Sequence, residues 1–255
     1  MVKVRIIGEI GINWLGQKDL AYDYINFCKD VGVDIAKFQL YDAERLLGKD
    51  NPYLTDASRG ALTRELAKEF KDYCDFKEIE FGCSVFFPED VEFTEYLGLK
   101  RYKIASRSFL DRELIRAINE THKPVIASTG TAEPGDIFRT VGCLRDCPDL
   151  TLMYCVPIYP TLCSSIDLAQ LGMVRNILTS SGRPRNIGFS SHCPKITPTL
   201  AAIARGATTI ENHIIKYRSM KSCDSSSSLN FEDYKKLVKL VREMETINGS
   251  SQENL

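Results

Sequence analysis

Apolar and polar positions along the chain alternate between two rhythms. Short β-rich runs with period-two or continuous apolar character read as strands. They fall at Val4–Gly8, Ile35–Phe38, Glu80–Ser84, Arg101–Ala105, Pro124–Ser128, Thr151–Cys155, Asn186–Ser190 and Thr208–Glu211. Between them lie runs with apolar residues at helical spacing: Leu20–Cys28, Ser58–Phe76, Glu89–Leu97, Asp111–Glu120, Glu133–Leu144, Ser165–Thr179, Ile196–Arg205 and Phe231–Ile247. Pro88 precedes the third as a good first-turn residue, and Asp111 opens the fourth as a cap. Regular βα alternation predicts a parallel sheet with right-handed crossovers, and eight such units match a (β/α)8 barrel. The expected fold is therefore α/β: a single-domain (β/α)8 TIM barrel over residues 1–247, with a polar C-terminal tail at 248–255. A doubly wound open sheet would want a glycine-rich phosphate turn after the first strand. Gly8-Glu9-Ile10-Gly11-Ile12-Asn13 is not one.

The totals narrow the class. A formal net charge of −1 over 255 residues creates no long-range field for nucleic acid or an anionic membrane. No apolar run approaches the roughly 20 residues of a membrane span, and the N-terminus reads as a strand rather than a secretory signal. A soluble cytoplasmic protein is expected. The nine cysteines are odd in number and include no Cys-x-x-Cys, so they read as reduced thiols rather than a disulfide framework. Cys143 and Cys147 read as small apolar residues on one helix face, with a metal pair as the alternative.

Chemistry in such a barrel gathers at the C-terminal ends of the strands. Those ends carry Glu9, then Asn13 and Trp14; Lys37 and Gln39; Ser84; Lys103 and Ser106; Ser128; Tyr159; Ser190 and His192; and Glu211 and His213. Serines there often only cap the next helix. Paired lysines and glutamates beside a closed core are harder to dismiss, since burying unpaired charge costs several kcal/mol. Lys37 and Lys103, with Ser84, Ser106, Ser128 and Ser190, make a candidate phosphate or carboxylate cradle. A lysine stretched to the rim is the alternative. Two of only three histidines, His192 and His213, close neighbouring strands. They are either metal ligands with open positions or hydrogen-bonded core histidines. His122, at the opposite end of a strand, reads as a solvent-side loop residue. Glu9 is a candidate general base or substrate ligand. Glu211 is placed to orient a histidine, and Asp224 to hold substrate hydroxyls or to be a solvated loop residue.

At these residues the chain resembles the catalytic barrel of the N-acetylneuraminate (sialic acid) synthase family, from about Val4 to Val241. The likeness rests on Glu9-Ile10-Gly11-Ile12-Asn13, Val33 to Gln39, Tyr102 to Ser106, Lys123 to Gly130, Tyr159-Pro160-Thr161, Ser190-Ser191-His192 and Glu211-Asn212-His213. The resemblance implies condensation of phosphoenolpyruvate with an open-chain aldehyde sugar such as N-acetylmannosamine, with release of phosphate. It implies that His192 and His213 hold a divalent metal, Mn2+ first, with Mg2+, Fe2+ or Zn2+ as alternatives. Lys37, Lys103, Ser84, Ser106, Ser128 and Ser190 then bind phosphoenolpyruvate. Glu9, Gln39, Tyr159 and Asp224 face the sugar or the reacting centre, with Glu9, Lys103 and Glu211 as the catalytic set.

The departures from the family pattern fall mostly on the sugar side. Trp14 stands where histidine is usual, Ser191 where aspartate is, Ser108 where glutamate is, and Pro157 where some members have asparagine. Ser84-Val85-Phe86-Phe87-Pro88 replaces a tight Thr-Pro-Phe-Asp turn. Trp14 is thus expected to stack on a sugar face or shorten the pocket. The resemblance also implies a small antifreeze-like domain beyond the barrel, reaching a partner's site with an arginine. The sequence in hand stops at Leu255, so a homo-oligomer is left open. Two other functions fit the same residues. One is a catalytically silent paralogue binding a ligand or partner in a sugar pathway. The other is a barrel lyase or aldolase reusing the anion site, for which Lys103 is the Schiff-base candidate.

Overall fold

Eight parallel strands close on themselves. In the computed structural model, which describes residues 3–249, they are β1 (Arg5–Glu9), β2 (Ile35–Leu40), β3 (Glu80–Val85), β4 (Tyr102–Ile104), β5 (Val125–Ser128), β6 (Leu150–Cys155), β7 (Ile187–Ser191) and β8 (Thr209–Ile215). Each pairs with the next, and β1 pairs back to β8. The barrel expected from the βα alternation is therefore the fold. All eight strands lie where the sequence pattern puts them, within a few residues at the ends.

Side chains two residues apart on a strand share a face. This converts the strand register into layers. Ile7, Ile35, Ile126 and Met153 pack together as an apolar plug inside the barrel. Two residues further along the same strands stand Glu9, Lys37, Ser128 and Cys155. These four strands thus cross from an apolar layer towards the polar one at their C-terminal ends. Gly82 makes room for this crossing, since a Cβ there would meet Ile35 Cγ2 at 2.5 Å and Lys37 Cγ at 3.2 Å.

The helices cover the outside. They are α1 (Lys18–Val31), α2 (Ala43–Leu47), α3 (Leu54–Gly60), α4 (Arg64–Phe76), α5 (Pro88–Tyr96), α6 (Arg112–Asn119), α7 (Pro134–Cys143), α8 (Gln170–Ser180), α9 (Thr197–Ala204) and α10 (Phe231–Gly249). Asp111 caps α6 as expected, accepting from the N–H groups of Glu113 and Leu114. The single helix expected over Ser58–Phe76 is two. Leu62 leaves the helical path to bridge Leu40, and Thr63 restarts the chain as an N-cap accepting from Leu66 N–H. The helix expected from Ser165 begins only at Gln170, behind a short 3-10 turn at Cys163–Ser165. Cys143 ends α7 exposed, while Cys147 is buried beyond it, so the two do not share a helix face. His122 is an exposed turn residue, as expected. The last helix runs to Gly249, into the stretch read as a tail. Residues 250–255 lie outside the described residues. Among the described residues no helix is long and apolar enough to cross a membrane.

Trp14 corrects an expectation. Its ring is 1 % exposed and meets Phe70 edge-on at 5.5 Å, and its indole N–H donates to the Gly60 carbonyl at 2.9 Å. The apolar ring is buried between barrel and helices rather than offered to a ligand, because Phe70 of α4 packs on it and Gly60 of α3 supplies the hydrogen-bond acceptor.

The N-terminal mouth of the barrel is closed by an ionic knot. Asp34 accepts from Lys3 Nζ at 2.5 Å, from Ile6 N–H at 2.9 Å and from Arg242 of α10 at 3.0 Å. Burial alone would raise its pKa, but these three donors outweigh it and hold the carboxyl below the ordinary value of 3.8.

Two outcomes follow for stability. Trp14→Ala is expected to lower the unfolding free energy by about 3–5 kcal/mol in a urea titration. Wild-type stability would show that the ring is not part of the core. Because the folded Asp34 pKa is depressed, its contribution is complete above pH 3.8 and lost as the pH falls through the lower folded value. Asp34→Asn should therefore lower stability at neutral pH and flatten the acid limb of a denaturation series. An unchanged limb would remove Asp34 from that role.

Candidate active site

The polar layer forms the floor of a cavity of about 490 Å3 at the C-terminal mouth of the barrel. Every residue given a catalytic, substrate or metal role from the sequence lines it except Trp14. Glu9, Lys37, Gln39, Ser84, Lys103, Ser106, Ser128, Tyr159, Ser190, His192, Glu211, His213 and Asp224 come together there from the strands and their following loops.

Register explains the closest pairs. Glu9 sits opposite Lys37 in the β1–β2 pairing and opposite His213 in the β1–β8 pairing, and Ser190 sits opposite Glu211. Lys37 is in direct ionic contact with Glu9, whose other oxygen accepts from the Gln39 amide. Lys37 Nζ also donates to Ser84 Oγ at 3.1 Å and lies 3.6 Å from Glu211. Lys103 Nζ donates to Ser128 Oγ at 2.8 Å and to the Ile104 carbonyl at 3.3 Å, with Glu211 at 3.5 Å. Ser190 Oγ donates to Glu211 at 3.0 Å. All four charged groups are buried.

The two lysines respond differently to burial. Desolvation works against the charge of both. At Lys37 two glutamates outweigh it and raise the pKa. At Lys103 it prevails, helped by the neighbouring Lys37 charge, and the pKa is lowered. Glu211 has the reverse balance. Burial opposes its charge, but Lys103, Lys37 and His213 pull its pKa down to about 2. The floor thus holds two lysines against Glu9, Glu211 and Asp224. An anion entering it must compete with built-in carboxylates for the ammonium protons.

The histidines face each other, with ring centroids 5.4 Å apart. His192 Nδ1 lies 2.8 Å from the Val156 carbonyl, which can only accept, so Nδ1 carries the proton and Nε2 keeps a free lone pair. Burial and the neighbouring His213 push its pKa down to about 4, which keeps the ring neutral. His213 Nδ1 is buried with no aligned hydrogen bond, 3.3 Å from Asp224 Oδ2. Burial opposes its charge, yet the Asp224 carboxylate raises its pKa. Among the described residues no group of three or more His, Cys, Asp or Glu is arranged so that it could hold a metal ion by itself. A neutral imidazole with a free Nε2, beside an orphaned imidazole nitrogen, fits a divalent cation whose remaining positions belong to water or substrate.

Asp224 owes its place to the loop after β8. Asn13 donates to the Ile214 carbonyl at 2.8 Å and to Ser228 Oγ at 2.9 Å, and accepts from Ser222 Oγ at 2.5 Å. A short strand, Leu229–Asn230, pairs with the end of β8 and completes the loop's anchor. Gly11 has φ +53, and a Cβ there would meet Asp224 Oδ2 at 3.0 Å and Glu9 Oε1 at 3.3 Å. Glycine is needed both for that backbone and for that convergence.

The upper wall was not foreseen. It is apolar, formed by Ile12, Tyr41, Leu46, Leu47, Tyr53 and Phe86. Leu46 and Leu47 come from α2, a helix too short to show a period in sequence, Tyr53 directly precedes α3, and Ile12, Tyr41 and Phe86 stand in the loops after β1, β2 and β3. Arg107 was also missed. It lines the rim and donates to the Leu46 carbonyl at 3.0 Å. Its one sequence signal was its position directly after Ser106.

An α/β barrel with lysines, carboxylates and facing histidines on one floor is the kind of site that handles a small polar anion beside a cation. The chain matches the NeuB family over residues 24–253 and belongs to it, as the sequence resemblance to sialic acid synthases implied. It is 29 % identical over 269 residues to the pseudaminic acid synthase of Campylobacter jejuni, spanning 99 % of this chain and 77 % of that protein. The N,N'-diacetyllegionaminic acid synthase of the same organism is 28 % identical over 267 residues, at 98 % and 78 % coverage. Among solved structures, the N-acetylneuraminic acid synthetase of Leptospira borgpetersenii serovar Hardjo-bovis, determined with citrate, superposes with a TM-score of 0.91. It is 26 % identical, covering 99 % of this chain and 87 % of that one.

The ionic floor can be tested through stability. Lys37→Met leaves Glu9 buried without its closest cation, and the loss should be about 3–5 kcal/mol by chemical denaturation. Adding Glu9→Gln to that variant should restore part of it. Strictly additive losses would mean that the two groups are not coupled.

Proposed function

We propose that the chain is a metal-dependent synthase that condenses phosphoenolpyruvate with an N-acylated aldehyde sugar, giving a nonulosonic-type 2-keto acid and phosphate. The observation that carries this reading is the convergence of the lysine–serine floor and the facing histidines in one cavity of a NeuB-family barrel.

Lys37 and Lys103, with Ser84, Ser106, Ser128 and Ser190, are placed to hold the phosphate and carboxylate of phosphoenolpyruvate by charge-assisted hydrogen bonds. His192 and His213 would hold a divalent cation, Mn2+ first, with Mg2+, Fe2+ or Zn2+ as alternatives. When bound it supplies Lewis-acid polarisation of the sugar aldehyde. Carbon 3 of phosphoenolpyruvate bonds to the aldehyde carbon, whose oxygen takes a proton. Water adds at carbon 2, and the carbon–oxygen bond to phosphate breaks to leave the ketone. Glu9, held by Lys37 and Gln39, is placed to take the water's proton. Glu211 keeps both lysines and His213 in register with the floor. Tyr159 and Asp224 face the sugar.

The apolar wall supports an acceptor that carries methyl-bearing substituents rather than hydroxyls all round. A hydroxyl buried against it without a partner costs about 1–3 kcal/mol. The name of the Campylobacter jejuni N,N'-diacetyllegionaminic acid synthase, with its two acetyl groups, points the same way.

One observation favours a second reading, a Schiff-base aldolase. Burial and Lys37 lower the pKa of Lys103, which makes its amine more available as a nucleophile. Against this, Lys103 is spent on Ser128 and sits beside Glu211, whose charge opposes the loss of its proton.

With Mn2+ present, phosphate release from phosphoenolpyruvate should follow addition of N-acetylmannosamine and fail with mannose. Silence across a panel of N-acylated aldoses would sink the synthase reading. Borohydride added with a keto-acid substrate should leave Lys103 unmodified. A reduced adduct on Lys103 would establish the aldolase instead.

A further inference from the structure

One pair of side chains beside the cavity is used by neither reading. Cys163 opens the 3-10 turn in the loop after β6, and Cys193 directly follows His192. Their sulfurs lie 3.7 Å apart, both as free thiols. Cys163 is exposed and Cys193 is 2 % exposed. By contrast, Cys28, Cys74, Cys83 and Cys155 are each sealed in the interior at no more than 1 % exposure. Of the pair, an oxidant in solution therefore meets Cys163 first, with Cys193 waiting behind it; Cys143 is also exposed. An S–S bond of about 2.05 Å needs only a small closing movement, which an exposed side chain on a loop can make.

We propose that Cys163 and Cys193 form a reversible disulfide, a thiol-modification site that latches the segment 156–163 over His192. The chemistry balances with a peroxide as oxidant. Peroxide transfers oxygen to the Cys163 sulfur, giving a sulfenic acid and water. The Cys193 sulfur then attacks the Cys163 sulfur. The S–S bond forms, the S–O bond breaks, and the departing hydroxide leaves as water with the Cys193 proton. A dithiol reverses the bond by exchange through a mixed disulfide and departs as its own disulfide.

The location gives the bond its consequence. The segment already leans on His192 through three contacts. Thr161 N–H donates to the His192 carbonyl at 3.0 Å, and His192 Nδ1–H donates to the Val156 carbonyl at 2.8 Å. The Tyr159 ring stacks on the imidazole at 4.0 Å. Hydrogen bonds of this kind contribute about 1 kcal/mol each, so the reduced segment opens at small cost. The disulfide adds a covalent tie one residue from His192, and Tyr159 cannot then swing off the cavity mouth. This inference is independent of the reaction proposed above, and its test involves no turnover.

The full chain is reduced, treated with hydrogen peroxide, alkylated and digested with trypsin without reduction. Cleavage after Arg185 and Lys195 puts Cys193 on a peptide with no other cysteine, and cleavage after Arg175 separates it from Cys163. The expected product is the Cys193 peptide joined to Cys163, assigned by fragmentation, and lost on treatment with dithiothreitol. Cys163→Ser should leave Cys193 fully alkylated. Cys163 carried to sulfinic acid with Cys193 still alkylated would overturn the site. So would a Cys193 cross-link that persists in Cys163→Ser. Amide hydrogen exchange on the wild-type chain, needing no variant, reads the latch. Residues 156–163 should exchange at least about tenfold more slowly when oxidised. A cross-link with unchanged exchange would overturn the latch.

Discussion

The contact between Lys37 and Glu9, with Glu211 behind it, is the constraint on which the site depends. Neither charge can be left alone at this depth, because the desolvation of an unpaired ion outweighs anything packing returns. The barrel solves this by register. Parallel pairing puts Glu9 and Lys37 opposite each other on adjacent strands, and β8 brings Glu211 within reach of both lysines. Were any of these strands to slip by one residue, the charges would turn outward into the apolar layer under the helices. The ionic floor therefore makes one strand register much better than its neighbours, while the plug of Ile7, Ile35, Ile126 and Met153 keeps the space beneath it dry.

The same arrangement sets what the cavity can accept. Built-in carboxylates neutralise the lysines, so the site is not a simple positive bowl. A ligand must bring enough negative charge, in the right shape, to displace glutamate oxygens from ammonium protons. That requirement selects for a compact, highly charged anion. On the other side, Asp224 reaches the histidines only because Asn13 gathers the loop after β8 and Gly11 lacks a Cβ. The lysines stand on strands while Asp224 is held by the loop after β8, and the two halves of the floor meet at Glu9, which sits opposite both Lys37 and His213. A substitution in one half is therefore felt in the other through that residue.

Above the floor the character changes. The wall, from α2 and the loops after β1, β2 and β3, is apolar, and Trp14 is packed away in the main core. Family membership settles the barrel and the class of relatives. The polar and apolar zones also differ in construction. The floor stands on strands locked by register, and the wall on short helices joined by loops.

Much of this was legible in the chain itself. Period-two runs alternating with helical runs define the eight strands, because a strand's faces and a helix's stripe leave different spacings. The residues of the floor were legible for a related reason. Lys37, Lys103, Glu9, Glu211, His192 and His213 are polar residues at the ends of apolar strands, and a barrel brings all such ends to one mouth. What tertiary structure alone decided is which neighbours each residue meets. Trp14 follows a strand end like the others, yet Phe70 packs on it and Gly60 takes its indole N–H, and no local pattern announces partners at least 46 residues away. Helix Ser58–Phe76 divides because Leu62 finds a partner in Leu40, a contact made across the fold. The apolar wall, Arg107 and the Cys163–Cys193 pair likewise come from segments distant in sequence or too short to be periodic. Local spacing determines which element forms and which way its faces point. Contacts between elements far apart in the chain carry no period, and so they are decided only when the barrel closes.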